Sequence, residues 1–246
     1  MSLLISKVFT YDVDAGNYIQ AVEAADAQAL EPATRQAINN FVIGCKQDGI
    51  WTAIKASCIL AGARTLAGAL VPLAGTAPTN FNFVDGDYNR KTGLVGNGST
   101  KYLDSNRNNN IDPQDSSHNF VYASTTGSGK LMATLAGTAA GANGLGTSDI
   151  FSRYDNVSFV VFTASAGGLG HSRGNASGFT YVNNKVVFNK TANSATRQNS
   201  NLLVFRGGSQ YGNARLTFYS IGESLDLALL DTRVTTLINA FAAAIP

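Results

Sequence analysis

Apolar residues in the N-terminal part of the chain recur at intervals of three and four, which is the spacing that gathers side chains on one face of an α-helix. Tyr18, Val22, Ala25 and Ala29 follow this spacing and predict a first helix. Asp14 precedes them and is a candidate N-cap, because a short carboxylate side chain can accept hydrogen bonds from the free amides of the first turn.

Two further helices are predicted before residue 62. One begins at Glu31-Pro32, since proline suits the first turn of a helix, and its buried positions would be Ile38, Phe41, Val42 and Cys45. The other begins at Asp48-Gly49-Ile50-Trp51 and carries Ile54, Ser57, Cys58 and Ala61. Trp51 is the single tryptophan, and we interpret it as a core residue that packs the helices together.

After Pro78 the pattern changes to short apolar runs separated by glycine and asparagine, which is typical of β-strands joined by tight turns. The run at 157–164 is nearly continuous and predicts a strand in a sandwich interior, whereas the Gly/Ala-rich stretch 135–146 predicts a flexible loop. The chain closes with a predicted helix over 226–244. The predicted strands are 92–97, 100–103, 120–124, 130–134, 157–164, 179–182, 185–188, 202–205 and 214–221.

Many short strands with Gly/Asn turns favour a β-sandwich, so the predicted class is mainly β with an α-helical N-terminal region and a C-terminal helix. The predicted organisation is an N-terminal arm and helical region over 1–77, followed by the sandwich and its closing helix over 78–246. Aromatic residues fall mostly on alternating, core-type strand positions.

Composition narrows the function classes. Only 14% of the 246 residues are charged, against a usual share of about a quarter, and the net charge is +2 without a basic block. This excludes binding to nucleic acid through phosphate neutralisation. The longest apolar stretch, 61–73, is interrupted and too short to cross a bilayer, and the N-terminus does not resemble a signal peptide. We therefore expect no membrane insertion and synthesis in a cytoplasm.

Few residues offer catalytic or metal-binding chemistry. Cys45 and Cys58 lack metal-ligand spacing and are predicted to be buried free thiols, with a single disulfide left open. Glycan hydrolysis needs two carboxylates on one face of the sandwich. Asp85 and Asp87 fall in a glycine-containing turn, and Glu223 stands alone after the last strand, so the prediction is no enzyme, no catalytic residue and no cofactor.

One segment has a calcium-loop pattern. Asp104, Asn106, Asn108, Asp112 and Asp115 occupy positions 1, 3, 5, 9 and 12 of such a loop. Asn109 stands where the loop needs glycine, and Asp115 stands where it needs a bidentate glutamate. The prediction is a polar connection that folds without metal, with calcium binding left open.

Three segments resemble bacteriophage virion structural proteins with a concanavalin A-like/laminin-G-like domain. They are Asp48-Gly49-Ile50-Trp51 with Ile54-Lys55-Ala56, the strand pair from Thr92 to Leu103, and Leu216 to Leu225 followed by a helix. Their order and spacing cover residues 31–246. The resemblance implies a jelly-roll sandwich and a place in the virion, as head decoration, tail or fibre protein, assembled in the host bacterial cytoplasm.

The expected function is a non-enzymatic structural component of the particle, a cement-like decoration or peripheral tail subunit that acts through contacts with other virion proteins. The alternative is a receptor-binding or carbohydrate-binding adhesin of the tail that recognises a host surface glycan, because the fold serves both roles. A homo-oligomer is also expected. The apolar segment from Leu3 to Tyr11 has no hairpin partner of its own, so it is predicted to pair with a neighbour. The trimer number follows only from the resemblance.

Overall fold

The computed structural model describes residues 10–135, 139–153, 155 and 158–246. The predicted arm at Leu3–Tyr11 therefore lies almost wholly outside the described residues. Two antiparallel sheets face each other, and helices cover the outer face of the larger one. The helices in this part of the chain are α1 (Val13–Asp26), α2 (Pro32–Gln47), α3 (Leu66–Ala69) and α4 (Leu227–Ala244), with short 3-10 turns at Trp51–Ala53 and Asp85–Asp87.

The larger sheet has the order β14-β13-β12-β7-β18-β1-β2, and β5 and β4 extend it beside β18. Strand β18, the last strand in chain order, lies between β7 and β1 and pairs antiparallel with both. The strands of this sheet are β1 (Ile54–Ile59), β2 (Pro72–Ala74), β4 (Tyr88–Asn89), β5 (Gly93–Val95), β7 (Ser117–Thr125), β12 (Gly167–Asn175), β13 (Gly178–Asn183), β14 (Val186–Thr191) and β18 (Arg215–Gly222).

The smaller sheet has the order β11-β10-β9-β8-β15-β6-β3. Its strands are β3 (Thr79–Phe81), β6 (Tyr102–Asn108), β8 (Lys130–Thr134), β9 (Gly144–Gly146), β10 (Asp149–Phe151), β11 (Val160–Val161) and β15 (Asn201–Val204), and β16 (Arg206–Gly207) pairs with β17 (Gln210–Tyr211) as a separate hairpin. The predicted class is confirmed: the chain is mainly β, a jelly-roll-like sandwich of antiparallel sheets with N-terminal helices and a C-terminal helix. The division at 77/78 stays a prediction.

Two hydrophobic cores hold the layers together. One lies between the sheets and includes Leu94, Leu103, Val121, Leu169 and Leu216, all with 0% exposure. The other joins the helices to the back of the larger sheet, where Phe218 lies edge-on to Phe41 of α2 and to Phe120, with ring centroids 5.7 and 6.2 Å apart. Side chains of the central strands are therefore buried on both faces of the sheet.

Helix α4 completes this second core. Asp226 caps it by accepting hydrogen bonds from the amides of Ala228 and Leu229. By length and composition α4 could cross a membrane. In this structure its apolar side is instead packed on the sandwich, through Leu227, Leu230, Val234, Leu237 and Phe241.

The predicted third helix is wrong. Residues 54–59 form strand β1, which pairs with β18 on one side and β2 on the other. A strand buried on both faces is apolar at consecutive positions, so over six residues its pattern does not differ from that of a buried helix. Cys58 consequently lies in a strand.

Trp51 lies in the 3-10 turn before β1 and packs only partly against the helical core. Its Nε1 donates to Asp14 Oδ2 at 3.1 Å, and Lys46 Nζ lies 5.8 Å from the ring centroid. Asp14 is therefore not the N-cap of α1. That role belongs to Asp12, whose carboxylate accepts from the Asp14 amide at 3.0 Å.

Two predictions in the smaller sheet also fail. Of the predicted strand 157–164, whose first residue lies outside the described residues, only Val160–Val161 form a strand, although the amides of Phe162 and Ala164 also bond to the neighbouring segment. This strand, β11, lies at the edge of the sheet, and Val161 is 74% exposed. The predicted loop 135–146 contains β9 at its end. Gly144 in β9 is needed there because the Phe151 ring lies 2.2 Å from the place that a Cβ would occupy.

Candidate functional site: an aromatic–arginine cluster

Two aromatic rings stack at one end of the smaller sheet. Phe81 ends β3 and is paired across the sheet with Tyr102, the first residue of β6. Their ring centroids are 4.3 Å apart and their planes differ by 4°. The next residue, Leu103, is completely buried between the sheets, so the alternation of side chains puts Tyr102 on the outer face.

The β16–β17 hairpin adds a cation and a third ring. Phe205 has a φ of 68°, which turns the chain between β15 and the hairpin. The hairpin pairs Arg206 with Tyr211. The Arg206 guanidinium carbon lies 4.7 Å from the ring centroid of Tyr102 and 4.9 Å from that of Tyr211. We call Phe81, Tyr102, Arg206 and Tyr211 the aromatic–arginine cluster.

The backbone beneath Phe81 is fixed by asparagine side chains. Asn80 accepts a hydrogen bond from the Phe83 amide and donates one to the Phe83 carbonyl, both at 3.0 Å. Asn82 has a φ of 68°, and its side chain donates to the Thr100 carbonyl at 2.9 Å. Phe81 is thus held in place with 37% of its surface exposed. The cluster offers a fixed, flat apolar surface beside a positive charge.

A second surface feature is a groove on the larger sheet of about 520 Å³, lined in part by Ser172, Thr180, Asn189 and Ser224. Most of its hydroxyls are already engaged. Ser172 Oγ accepts from the Leu225 amide, Thr180 donates to the Ser172 carbonyl, and Ser224 Oγ lies 3.1 Å from Ser116 Oγ. The one aromatic residue of its lining, Phe179, is 4% exposed. The groove is therefore less suited than the cluster to binding by ring stacking.

The calcium-like segment does not converge on a cation site. Asp104 accepts from the side chain of Asn201, and Asp115 accepts from Ser194. The Asp112 carboxylate is paired with Arg107. Among the described residues, no three His, Cys, Asp or Glu side chains meet in a way that could hold a metal ion.

An arginine occupies the inner side of this segment. The buried guanidinium of Arg153 donates to the carbonyls of Asn109 at 2.6 Å and Asp112 at 3.3 Å, and to the side-chain oxygen of Asn109. Burial lowers the pKa of Arg153 to about 10, so it is still a cation at neutral pH. Arg153 therefore ties the segment to the sandwich through Asn109 and the Asp112 carbonyl, which are not among the ligand groups of a calcium loop.

We expect calcium to leave the melting temperature unchanged, because the oxygens of the segment already have internal partners. The measurement is thermal unfolding in calcium chloride and in a chelator. A calcium-dependent rise in melting temperature that disappears in Asp104→Ala would contradict this expectation.

Both histidines lie in the sandwich with 0% exposure. His118 Nδ1 lies 2.6 Å from the Glu223 carbonyl, and its Nε2 lies 2.7 Å from Ser220 Oγ. Neither ring nitrogen of His171 has a hydrogen-bond partner. Burial lowers the pKa of His118 to about 4, and burial together with the nearby Arg173 and Arg153 lowers the pKa of His171 well below its usual value. His171 is therefore a completely buried residue of strand β12.

The remaining predicted residues lie apart from one another. Asp87 is paired with Lys101, and Glu223 is paired with Lys55. Cys45 and Cys58 are both buried and free, and burial raises the pKa of each thiol to about 12. The expectation of buried free thiols is confirmed, and neither thiol is ionised at neutral pH.

The sequence did not predict the aromatic–arginine cluster. Its members come from β3, β6 and the β16–β17 hairpin, and only the sheet pairing brings them together. The local signal is Asn80-Phe81-Asn82, in which an aromatic residue stands between two turn-forming residues instead of within an apolar run.

No protein-family model and no curated protein matches the chain. Among solved structures it is similar to a botulinum neurotoxin type C that depends upon interaction with two ganglioside molecules to enter cells (TM-score 0.47, 10% identity, 77% of this chain and 51% of that chain). It is also similar to the binding domain of botulinum neurotoxin serotype D (TM-score 0.48, 8% identity, 75% of this chain and 50% of that chain).

A third similar structure is domain 4 of AbnA, an extracellular arabinanase from Geobacillus stearothermophilus, in complex with arabinotriose (TM-score 0.40, 11% identity, 65% of this chain and 82% of that chain). The chain spans about half the length of the neurotoxin chains that it matches. At these TM-scores and identities, what this chain binds has to follow from its own residues.

Proposed function

We propose that this protein is a non-enzymatic carbohydrate-binding module of a bacteriophage particle, which attaches to a host surface glycan through the aromatic–arginine cluster. The observation that carries the proposal is the parallel stack of the exposed Phe81 on the half-buried Tyr102. One face of a sugar ring carries mainly C–H groups, so it gains free energy by leaving water for the face of an aromatic ring.

The fixed geometry of the cluster supports binding over a purely structural role. Phe81 is held by the turn at Asn80–Phe83, and Tyr102 contacts the Arg206 guanidinium. A surface that is already ordered loses little side-chain entropy when a ligand binds. A Phe that only served stability would be better buried, whereas Phe81 is 37% exposed.

The experiment compares two exposed, stacked phenylalanines. We expect Phe81→Ala to weaken binding to a responsive oligosaccharide by about tenfold or more, which corresponds to about 1.4 kcal/mol. Phe188 is the matched control, because it is 41% exposed and stacks on Tyr181 with centroids 4.9 Å apart.

Binding is screened on an array of bacterial surface oligosaccharides, and affinities for the best responders are measured by calorimetry. Phe188→Ala should bind like the unaltered protein. Loss of binding in Phe188→Ala instead of Phe81→Ala would contradict the placement of the site, and no binding to any saccharide would contradict the function.

The phage origin and virion localisation rest on the three segments that resemble virion proteins and on the low share of charged residues, 14%. Assembly would take place in the host bacterial cytoplasm. The absence of enzymatic activity is supported by the engagement of Asp87 and Glu223 with lysines, which leaves them apart from each other and from the cluster.

A second candidate function, a structural or decoration subunit bound to other virion proteins, is favoured by the edge strand β14. In the described part of the chain β14 pairs only with β13. Its residues Val186 and Phe188 are 54% and 41% exposed. An open edge with apolar side chains can add to the sheet of a neighbouring subunit.

We expect a homo-oligomer, with a trimer as the number that the family resemblance implies. Light scattering on Val187→Lys tests the β14 edge, because a lysine on an edge strand disfavours pairing. A chain shortened to begin at Thr10 tests the N-terminal segment while it keeps Asp12, the cap of α1. If the unaltered protein and both variants are monomers of equal stability, the oligomer prediction and this second function are wrong.

A further inference from the structure

The positive charge of the aromatic–arginine cluster has no counter-charge in the part of the chain that the structure describes. Nε of Arg206 donates to the Gly208 carbonyl at 3.0 Å. None of the ion pairs found among the described residues includes Arg206, whereas Lys101, just before β6, and Lys130, the first residue of β8, are paired with Asp87 and Asp149. Arg206 is therefore a cation whose terminal nitrogens are available to a ligand.

The guanidinium is also held in one orientation. Contacts with Tyr102 and Tyr211 and the short hairpin around Gly208 restrict its rotation. A planar guanidinium presents two parallel N–H groups that match the two oxygens of a carboxylate, and it is more weakly hydrated than an ammonium group. Such a group binds a carboxylate with little reorganisation.

From these two observations we infer that the ligand of the cluster is an acidic saccharide, in which a sugar ring stacks on Phe81 and a carboxylate of the same or the adjoining sugar pairs with Arg206. The inference rests on the proposed function and adds the substrate class. A neutral saccharide would leave the Arg206 charge partly desolvated and unpaired, which disfavours its binding at this place.

The test uses two probes with the same sugar backbone: oligogalacturonate, and its methyl ester, in which the carboxylates have lost their charge. Together with them, an array of neutral, carboxylated and sulfated saccharides is screened. We expect the carboxylated probes to bind at least about tenfold more tightly than their esters, which is the scale of one charge-assisted bidentate contact. Their affinity should fall as salt is raised to about 0.5 M.

Variants separate the charge from the stacking surface. Arg206→Gln should remove the preference for the acid while weak binding to the ester persists, and Arg206→Lys should restore part of the preference. Phe81→Ala should weaken the binding of both probes. Thermal unfolding of each variant shows whether the hairpin still folds, and the ratio of the two affinities stays informative even for a less stable variant.

Three outcomes overturn the inference. Neutral saccharides that bind as tightly as acidic ones, with no effect of Arg206→Gln, would refute the acidic ligand and leave carbohydrate binding intact. A preference for sulfated over carboxylated saccharides would refute the carboxylate. If no saccharide of any charge binds, both the inference and the proposed function fail.

Discussion

Lowering the pH from 7.5 to about 5 is expected to destabilise the protein by about 2 kcal/mol for each of its two buried histidines. The pKa of His118 falls from 6.5 to about 4 in the folded protein, mainly because burial disfavours the charged ring. The pKa of His171 is lowered further by burial and by Arg173 and Arg153. Below pH 6.5 the unfolded chain therefore takes up protons that the folded chain does not, and stability falls as the pH falls.

The effect of the histidines on stability can be distinguished from that of the acidic groups, because the chain contains only two histidines. Carboxylates in ion pairs affect the stability at lower pH, because their pKa values are lowered; Arg90, for example, lowers the pKa of Glu31 to about 2. Asp231 has the opposite effect on the pH dependence of stability from the histidines, because burial raises its pKa. Urea unfolding at intervals between pH 7.5 and 5 gives the slope. His118→Asn should reduce that slope, whatever its effect on stability at neutral pH. A flat profile would show that the histidines are not buried in the neutral form.

The second large effect is expected at Arg173, whose side chain is completely buried. Its Nη1 donates to the carbonyls of Asn175 at 3.2 Å and Ala192 at 3.0 Å, and Nη2 donates to the Ser152 carbonyl at 2.8 Å. Asn175 ends β12, Ala192 follows β14 and Ser152 follows β10, so one side chain joins the ends of these three strands.

We expect Arg173→Ala to lower the free energy of unfolding by about 3 to 5 kcal/mol, because it leaves several buried carbonyls without donors and opens a cavity. Arg173→Met refills much of the volume, so it should recover only the part of the lost free energy of unfolding that comes from the cavity. Arg35→Ala is the surface control: Arg35 pairs with Glu23 with 29% side-chain exposure, so its loss should cost about 1 kcal/mol or less. Equal losses in Arg173→Ala and Arg35→Ala would refute the linking role.

The sequence predicts elements best where the apolar pattern is long or the flanking turn residues are clear, and this includes β8, whose five residues are all buried. Helices α2 and α4 and strand β8 are found at or within one residue of the predicted positions, because their apolar spacing is long or their turns are well marked. Strand β1 was missed because its two buried faces remove the alternation that distinguishes a strand from a helix. The edge strand β11 shows the reverse error, since its apolar residues are partly exposed.

The candidate site could not be predicted in the same way. Stacking of Phe81 on Tyr102 depends on the register between β3 and β6, and the position of Arg206 depends on a turn at Phe205 with positive φ. Neither this register nor this turn can be deduced from the local spacing of apolar residues. The calcium-like segment shows the converse: its oxygen residues are in the right order, but their carboxylates bind Asn201, Arg107 and Ser194 instead of converging on one point.

The central position of β18 in the larger sheet governs how this protein reaches its native state. On one side of β18, Phe218 pairs with Ile59 of β1. On its other side, Tyr219 pairs with Val121 of β7. During synthesis β1 and β7 leave the ribosome long before residues 215–222 and cannot join one another without them. Contacts of such high sequence separation make folding slow. The nascent chain therefore carries unpaired apolar strands until its final segment emerges, and this is the interval in which it most needs protection from aggregation.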